Sequence, residues 1–185
     1  MILLVGKTCS GKDTIRKELI KLGMNSVVTY TTRPPRDGEI NGITYHFISK
    51  EDFFEKEQKG FFAETTSYNV ASGDTWYYGS AVEDLTEDKV IIVNPYGLKQ
   101  IKKIQSLKPV SFYLKTSEKT IIKRLKKRGD AMDEGIRRLS RDNKDFQYVH
   151  NSVDFMFSND KGLPSKTLAK IILSTYKKVN EVMGN

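Results

Sequence analysis

One cysteine, Cys9, among 185 residues leaves no partner for an internal disulfide, which agrees with a reducing compartment. Histidine is nearly as scarce, and His46 and His150 lack the spacing of a metal-binding pair. Long apolar runs are missing too. Met1-Ile2-Leu3-Leu4-Val5 and Val90-Ile91-Ile92-Val93 fall far below the roughly 20 residues of a membrane span and read as buried strands. Nor is there a basic leader with a long apolar stretch, an internal repeat, a low-complexity tract or a linker rich in Pro, Gly and Ser. These absences predict a cytoplasmic protein without a secretion signal or membrane partner. The length predicts a single compact domain.

What is present is a globular composition with an excess of positive charge. Hydrophobic residues at 38% and charged residues at 29% exclude the disordered and membrane classes. The formal net charge of +8 favours anionic partners without choosing among nucleic acid, acidic lipid and nucleoside phosphates. Much of it is diffuse: from Lys119 to Lys127 the basic residues alternate with Ile121, Ile122 and Leu125 at helical spacing, as on a solvated helix face. No interleaved basic and aromatic platform points to nucleic acid.

Short β-branched runs alternate with amphipathic stretches, the pattern of βαβ units around a parallel sheet buried on both faces. Strands are expected at Ile2-Val5, Val27-Tyr30, Val90-Val93, Val110-Leu114 and Phe155-Phe157. Helices are expected at Lys12-Leu22 (ended by Gly23), Tyr96-Ser106, Ser117-Lys127, Glu134-Tyr148 and Ser165-Val182, the last entered through Pro164. The resulting fold class is α/β, a three-layer sandwich. From Arg33 to Gly79 the alternation breaks into a small β-rich insert with one helical stretch at Glu51-Lys59.

Gly6-x-x-x-x-Gly11-Lys12 follows the first strand and opens the first helix, the context that makes this motif a phosphate loop. Its two glycines allow successive N–H groups to point at phosphate oxygens. The helix N-terminus adds partial positive charge, and Lys12 reaches the β- and γ-phosphates of ATP. Gly6, Lys7, Thr8, Cys9, Ser10, Gly11, Lys12, Asp13 and Thr14 are the candidate ATP contacts. The residue after the lysine is usually a Ser or Thr that ligates Mg²⁺; here it is Asp13. That carboxylate is either a hard ligand for the metal or simply a favourable charge at a helix N-terminus.

Thr29-Tyr30-Thr31-Thr32-Arg33-Pro34-Pro35-Arg36-Asp37-Gly38-Glu39, followed by Tyr45, sets two arginines around a rigid turn with a phenol beyond. Guanidinium forks of this kind suit a phosphate group. This segment closely resembles the monophosphate-binding stretch of guanylate kinases, as does Tyr77-Tyr78-Gly79-Ser80. The resemblance spans nearly the whole chain. It implies a P-loop NTPase fold with a central parallel sheet, a GMP-binding insert over residues 31–81 and a helical lid over 126–149, on a core of 1–30, 82–125 and 150–185.

It further implies that Arg33, Arg36, Tyr45 and Tyr78 hold the acceptor phosphate, with Glu39 positioning the arginines or that phosphate. Glu64, in Gly60-Phe61-Phe62-Ala63-Glu64, would take the N1–H and N2–H₂ of guanine, and Ser80 and Thr29 its carbonyl. Adenine lacks that donor pair, so a carboxylate there discriminates against it. In the lid, Arg128 and Arg138 would be catalytic, with Arg137 and Arg141 at helical spacing nearby; Arg124 and Asn159 would meet the adenine of ATP. Two departures stand out. The stretch from Glu64 to Tyr78 is several residues longer than the family's, and Ile92 and Asn94 stand where aspartates are usual, leaving Asn94 able to hydrogen-bond GMP but without a charge.

The expected activity is transfer of a phosphoryl group from ATP with Mg²⁺ to GMP or dGMP, by a monomer or weak homodimer. A deoxynucleoside monophosphate kinase of other or broader base preference is the alternative that Asp13, Asn94 and the long hairpin encourage; Lys-Asp-Thr occurs in some viral-type enzymes of that kind. A guanylate-kinase-like binding module without catalysis is the other, although such modules typically lose the phosphate loop.

Overall fold

The structure, a computed structural model, describes residues 1–70, 73–129, 131–160 and 163–183. Five parallel strands form the central sheet in the order β2 (Asn25–Ser26), β7 (Lys89–Val93), β1 (Ile2–Val5), β8 (Val110–Lys115) and β9 (Phe155–Ser158). Alternation along β1 explains how this sheet is buried on both faces. Leu3 and Val5 join Ile91, Val93, Leu98 and Phe146 on one side, while Ile2 and Leu4 join Ile15, Leu19, Phe112 and Leu168 on the other. Helices α1 (Lys12–Lys21) and α6 (Ser165–Met183) supply the second layer, and α3 (Pro95–Ile101) supplies part of the first. The molecule is thus α/β and three-layered, as expected.

A second, four-stranded sheet has the order β4 (His46–Phe47), β3 (Tyr30–Thr31), β6 (Thr75–Ala81), β5 (Phe62–Asn69), with α2 (Lys50–Gln58) alongside it in sequence. Phe53 of α2 stacks on Phe62 with ring centroids 4.6 Å apart, closing the small aromatic core of this unit. The β5–β6 pairing runs on to Asn69 opposite Thr75, so the long stretch is a long hairpin; its residues Ala71 and Ser72 lie outside the described residues. Asp130, which closes the basic run from Lys123, lies outside them too. Helices α4 (Glu118–Arg128) and α5 (Met132–Asp145) pack through Ile121, Leu125 and Leu139.

Three expected boundaries are corrected. The strand placed at Val27-Tyr30 is absent as such: the chain leaves the parallel sheet after β2 and enters the second sheet at β3. Val27 N–H still bonds Val90 O at 3.2 Å and Thr29 O accepts His46 N–H at 3.0 Å, so that apolar run is used in crossing between two ladders. The helix expected to reach Ser106 ends at Ile101, where the bonds tighten to Lys103 N to Gln100 O and Ile104 N to Ile101 O, both 3.1 Å. The helix expected at Glu134-Tyr148 starts at Met132 and ends at Asp145, because Phe146 leaves the helical path to enter the core. Among the described residues, no helix is long and apolar enough to cross a membrane.

Candidate active site

The tight loop between β1 and α1 has the backbone its sequence demands. Gly11 caps α1 at φ 97°, a left-handed value that a side chain resists, and a Cβ there would stand 2.5 Å from Asn159 Nδ2. A Cβ on Gly6 would stand 2.4 Å from Ser10 Oγ. Cys9 is also left-handed, at φ 52°. From the far side the loop is braced by donors: Asn159 Nδ2 to Ser10 O at 2.7 Å, and Arg124 Nη1 to Cys9 O at 3.1 Å. The Lys12 ammonium curls back to Gly6 O (2.6 Å) and Lys7 O (2.8 Å). Burial pushes its pKa down, opposed by the charge of Asp142 and then of Asp13.

Two cavities meet at Lys12 and Asp13. The smaller, about 410 Å³, is lined by Cys9, Gly11, Thr14, Arg124, Arg128 and Asn159, with others. The larger, about 600 Å³, opens on the other side of the loop and runs between the second sheet and α5. Thr8 and Arg16 border it at the loop end; Thr29, Arg36, Glu39, Tyr45, Glu64, Tyr78 and Asn94 line its wall. Glu134, Arg137, Arg138, Arg141 and Asp142 cover it. Asp13 is exposed, its side chain at 74%, and among the described residues its one ion pair is a 3.4 Å contact to Arg16.

Within the larger cavity, Glu39 organises the arginine turn. Its Oε1 accepts Arg33 Nη2 at 2.7 Å and its Oε2 accepts Arg36 N–H at 2.8 Å. Those bonds hold the Glu39 carboxyl below its ordinary range, the Arg33 bond first. Arg33 itself is buried, its guanidinium 5.3 Å from the Tyr45 ring centroid, so it stands behind the wall while Arg36 faces the cavity. Burial raises the pKa of the Tyr45 phenol, whose ring meets Tyr78 edge-on at 6.2 Å.

On the same cavity wall, a register shift aims Glu64. Phe62 pairs with Ala81 but Glu64 pairs with Ser80, so β5 carries one extra residue, as in a β-bulge. Ser80 Oγ then donates to Glu64 Oε1 at 2.8 Å, and both residues are buried. Burial lifts the Glu64 carboxyl to about 7, with the Ser80 bond opposing. Gly97 lies beside it, where a Cβ would stand 2.9 Å from Glu64 Oε2. Asn94 is committed elsewhere: Oδ1 caps α3 by accepting Gly97 N–H at 2.8 Å, and Nδ2 donates to Thr66 Oγ1 at 3.0 Å.

Helix α5 brings paired charges over this chamber. Glu134 accepts Arg137 Nε at 2.6 Å and Arg138 Nε at 2.7 Å, and is pulled down to about 2, chiefly by Arg137. Arg141 lies 4.8 Å from the centroid of Tyr68, on the long hairpin. Lys12 and Arg138 therefore border the same cavity, whereas Arg128 borders the smaller one beside Arg124. Sequence reasoning did not reach Glu134, Asp142, Arg16 or Trp76, all at the larger cavity. The spacing of Glu134, Arg138 and Asp142 by four residues was the available signal for two of them.

A parallel α/β core with a phosphate loop between two joined chambers defines a P-loop nucleotide-binding protein of the monophosphate kinase class. The guanylate kinase family model matches residues 1–172, and the chain belongs to that family. A guanylate kinase of Clostridioides difficile is 31% identical, covering 97% of this chain and 90% of the relative. One from Prochlorococcus marinus subsp. pastoris is 33% identical over 94% of this chain and 97% of its own. The crystal structure of guanylate kinase from Anaplasma phagocytophilum shares the fold, with a TM-score of 0.65 at 18% identity over 96% of this chain and 84% of that one.

Proposed function

We propose that the protein transfers the γ-phosphoryl group of ATP to the phosphate of GMP or dGMP, giving ADP and the nucleoside diphosphate. The observation that carries this reading is that one cavity is lined both by the phosphate loop and by Glu64 of the buried Glu64–Ser80 pair. Guanine presents two donors to one carboxylate, and an acceptor without them leaves Glu64 unpaired.

The donor end binds triphosphate through the N–H groups of residues 6–14 and Lys12, with adenine in the smaller cavity against Arg124 and Asn159. Arg36, Tyr45 and Tyr78 grip the acceptor phosphate, and Arg33 acts on it through the turn it shares with Glu39. Thr29 and Ser80 serve the guanine carbonyl. Asn94 is held by its helix cap and contributes to the wall rather than a charge. Attack by an acceptor oxygen is in line, needs no protein nucleophile, and is accelerated by Lys12, Arg128 and Arg138 meeting charge on the transferred group. Residues 126–149 act as a lid that excludes water, and 31–81 as the acceptor-binding unit.

Asp13 would hold the Mg²⁺ that accompanies ATP. The donor set fits it, since this ion takes one or two carboxylates together with phosphate oxygens, and the exposed Asp13 stands where both cavities meet. Held there, it would supply positive charge against the phosphates. A cytoplasmic protein active as a monomer or weak dimer completes the reading.

ADP release from ATP and Mg²⁺, measured with GMP, dGMP, AMP, CMP, UMP and dTMP in turn, tests it. GMP or dGMP should be turned over fastest. Turnover of none, or preference for a pyrimidine or AMP, overturns the proposal.

A further inference from the structure

Helix α5 sends a carboxylate into the phosphate loop. Asp142 Oδ2 accepts the Thr8 N–H, and the next residue, Asn143, accepts Lys7 Nζ at 2.6 Å. Asp142 is also the foremost charge favouring the buried Lys12 ammonium. Convergent backbone N–H groups beside a lysine form an anion site, and here the anion comes from the chain itself. The same helix face pairs Arg138 with Glu134, one turn from Asp142's own turn. Both the loop and the lid arginine thus face carboxylates of α5.

We propose that Asp142 is a displaceable plug: its carboxylate stands in for a phosphoryl oxygen, holds α5 against the loop, and must leave before a polyphosphate enters. The inference rests on reading the loop as the donor site. Asp142 and a donor phosphate compete for one N–H and one ammonium, and their like charges oppose sharing them. Expulsion of Asp142 by the donor releases α5, so donor binding and lid position are coupled. Asp142 is a positioning residue in this account, acting through the loop and helix it joins.

Competition reduces apparent affinity by the fraction of molecules whose loop is open. If about nine in ten are plugged, removing the charge tightens anion binding about tenfold. Inorganic pyrophosphate is the probe, titrated calorimetrically into the full-length protein, with the fluorescence of the single tryptophan, Trp76 at the cavity wall, as a second readout. Asp142→Asn and Asp142→Ala should both bind pyrophosphate about tenfold more tightly than the parent, with and without Mg²⁺. Asn143→Ala, which frees Lys7, should tighten it less and serves if either Asp142 variant fails to fold. Unchanged affinity overturns the plug. So does weaker binding confined to Mg²⁺ conditions, which would make Asp142 a cation ligand. GMP-dependent ADP release by the parent is read separately: its absence counts against the kinase reading, whereas unaltered pyrophosphate binding in an active enzyme counts against the plug alone.

Discussion

Ser80 Oγ lies 2.8 Å from Glu64 Oε1, and the two residues are 0% and 6% exposed, so a hydroxyl and a carboxyl share a buried site. Burial raises the carboxyl from its ordinary 4.5 to about 7, against the pull of the Ser80 bond. If Glu64 takes the two guanine donors as proposed, a proton retained there would block their acceptance. The kcat/KM for GMP should therefore climb with pH up to about 7 and level off above it. Glu64→Gln should abolish that inflection while leaving the titration of the GMP phosphate, at about 6. Stability has the opposite sign: the contribution of Glu64 is full below about 4.5 and is lost as pH rises through about 7. A pH series of kcat/KM for parent and variant checks this.

Glu39 is bonded by Arg33 and by the Arg36 backbone at once. Glu39→Ala leaves the buried Arg33 without its counter-charge, costing about 2 kcal/mol of stability. It should also raise KM for GMP while KM for ATP stays put. Urea unfolding and steady-state kinetics read the two effects, and an equal rise in both KM values would show general damage instead.

Gly97 leaves room for Glu64. The Cβ of Gly97→Ala would sit 2.9 Å from Oε2 and 3.5 Å from Asn94 Oδ1, so the carboxylate or α3 must shift. Displacement of about 1 Å costs up to roughly 100-fold, and the expected signature is a fall in kcat/KM for GMP with ADP affinity retained.

Among the described residues, Asp13 makes one long ion pair, to Arg16, an exposed pair worth less than about 1 kcal/mol. Asp13→Ala should thus leave thermal stability within a degree or two of the parent while raising the Mg²⁺ needed for half-maximal turnover. An unchanged Mg²⁺ dependence would refute its role at the metal.

The phosphate loop was legible because its chemistry is local: the glycines, Lys12 and the strand and helix flanking them are contiguous in the sequence. The turn from Arg33 to Glu39 was legible for the same reason. Where meaning depends on pairing between distant segments, the sequence said less. The extra residue in β5 that turns Glu64 toward Ser80 has no local mark, and Gly97 gains its meaning only when α3 packs beside that carboxylate. Val27-Tyr30 reads as one strand because apolar periodicity does not record which sheet a residue joins. Asp142 looks like any polar residue on an exposed helix until α5 is laid over Thr8.

The claim at the centre of this account is that Glu64 selects the acceptor base. The ratio of kcat/KM for GMP to that for AMP tests it most directly, measured in the parent and in Glu64→Ala. The account predicts a preference for GMP of roughly 10,000-fold in the parent, collapsing by at least two orders of magnitude in the variant. A parent that turns over AMP as readily as GMP, or a variant that keeps the full preference, would contradict it.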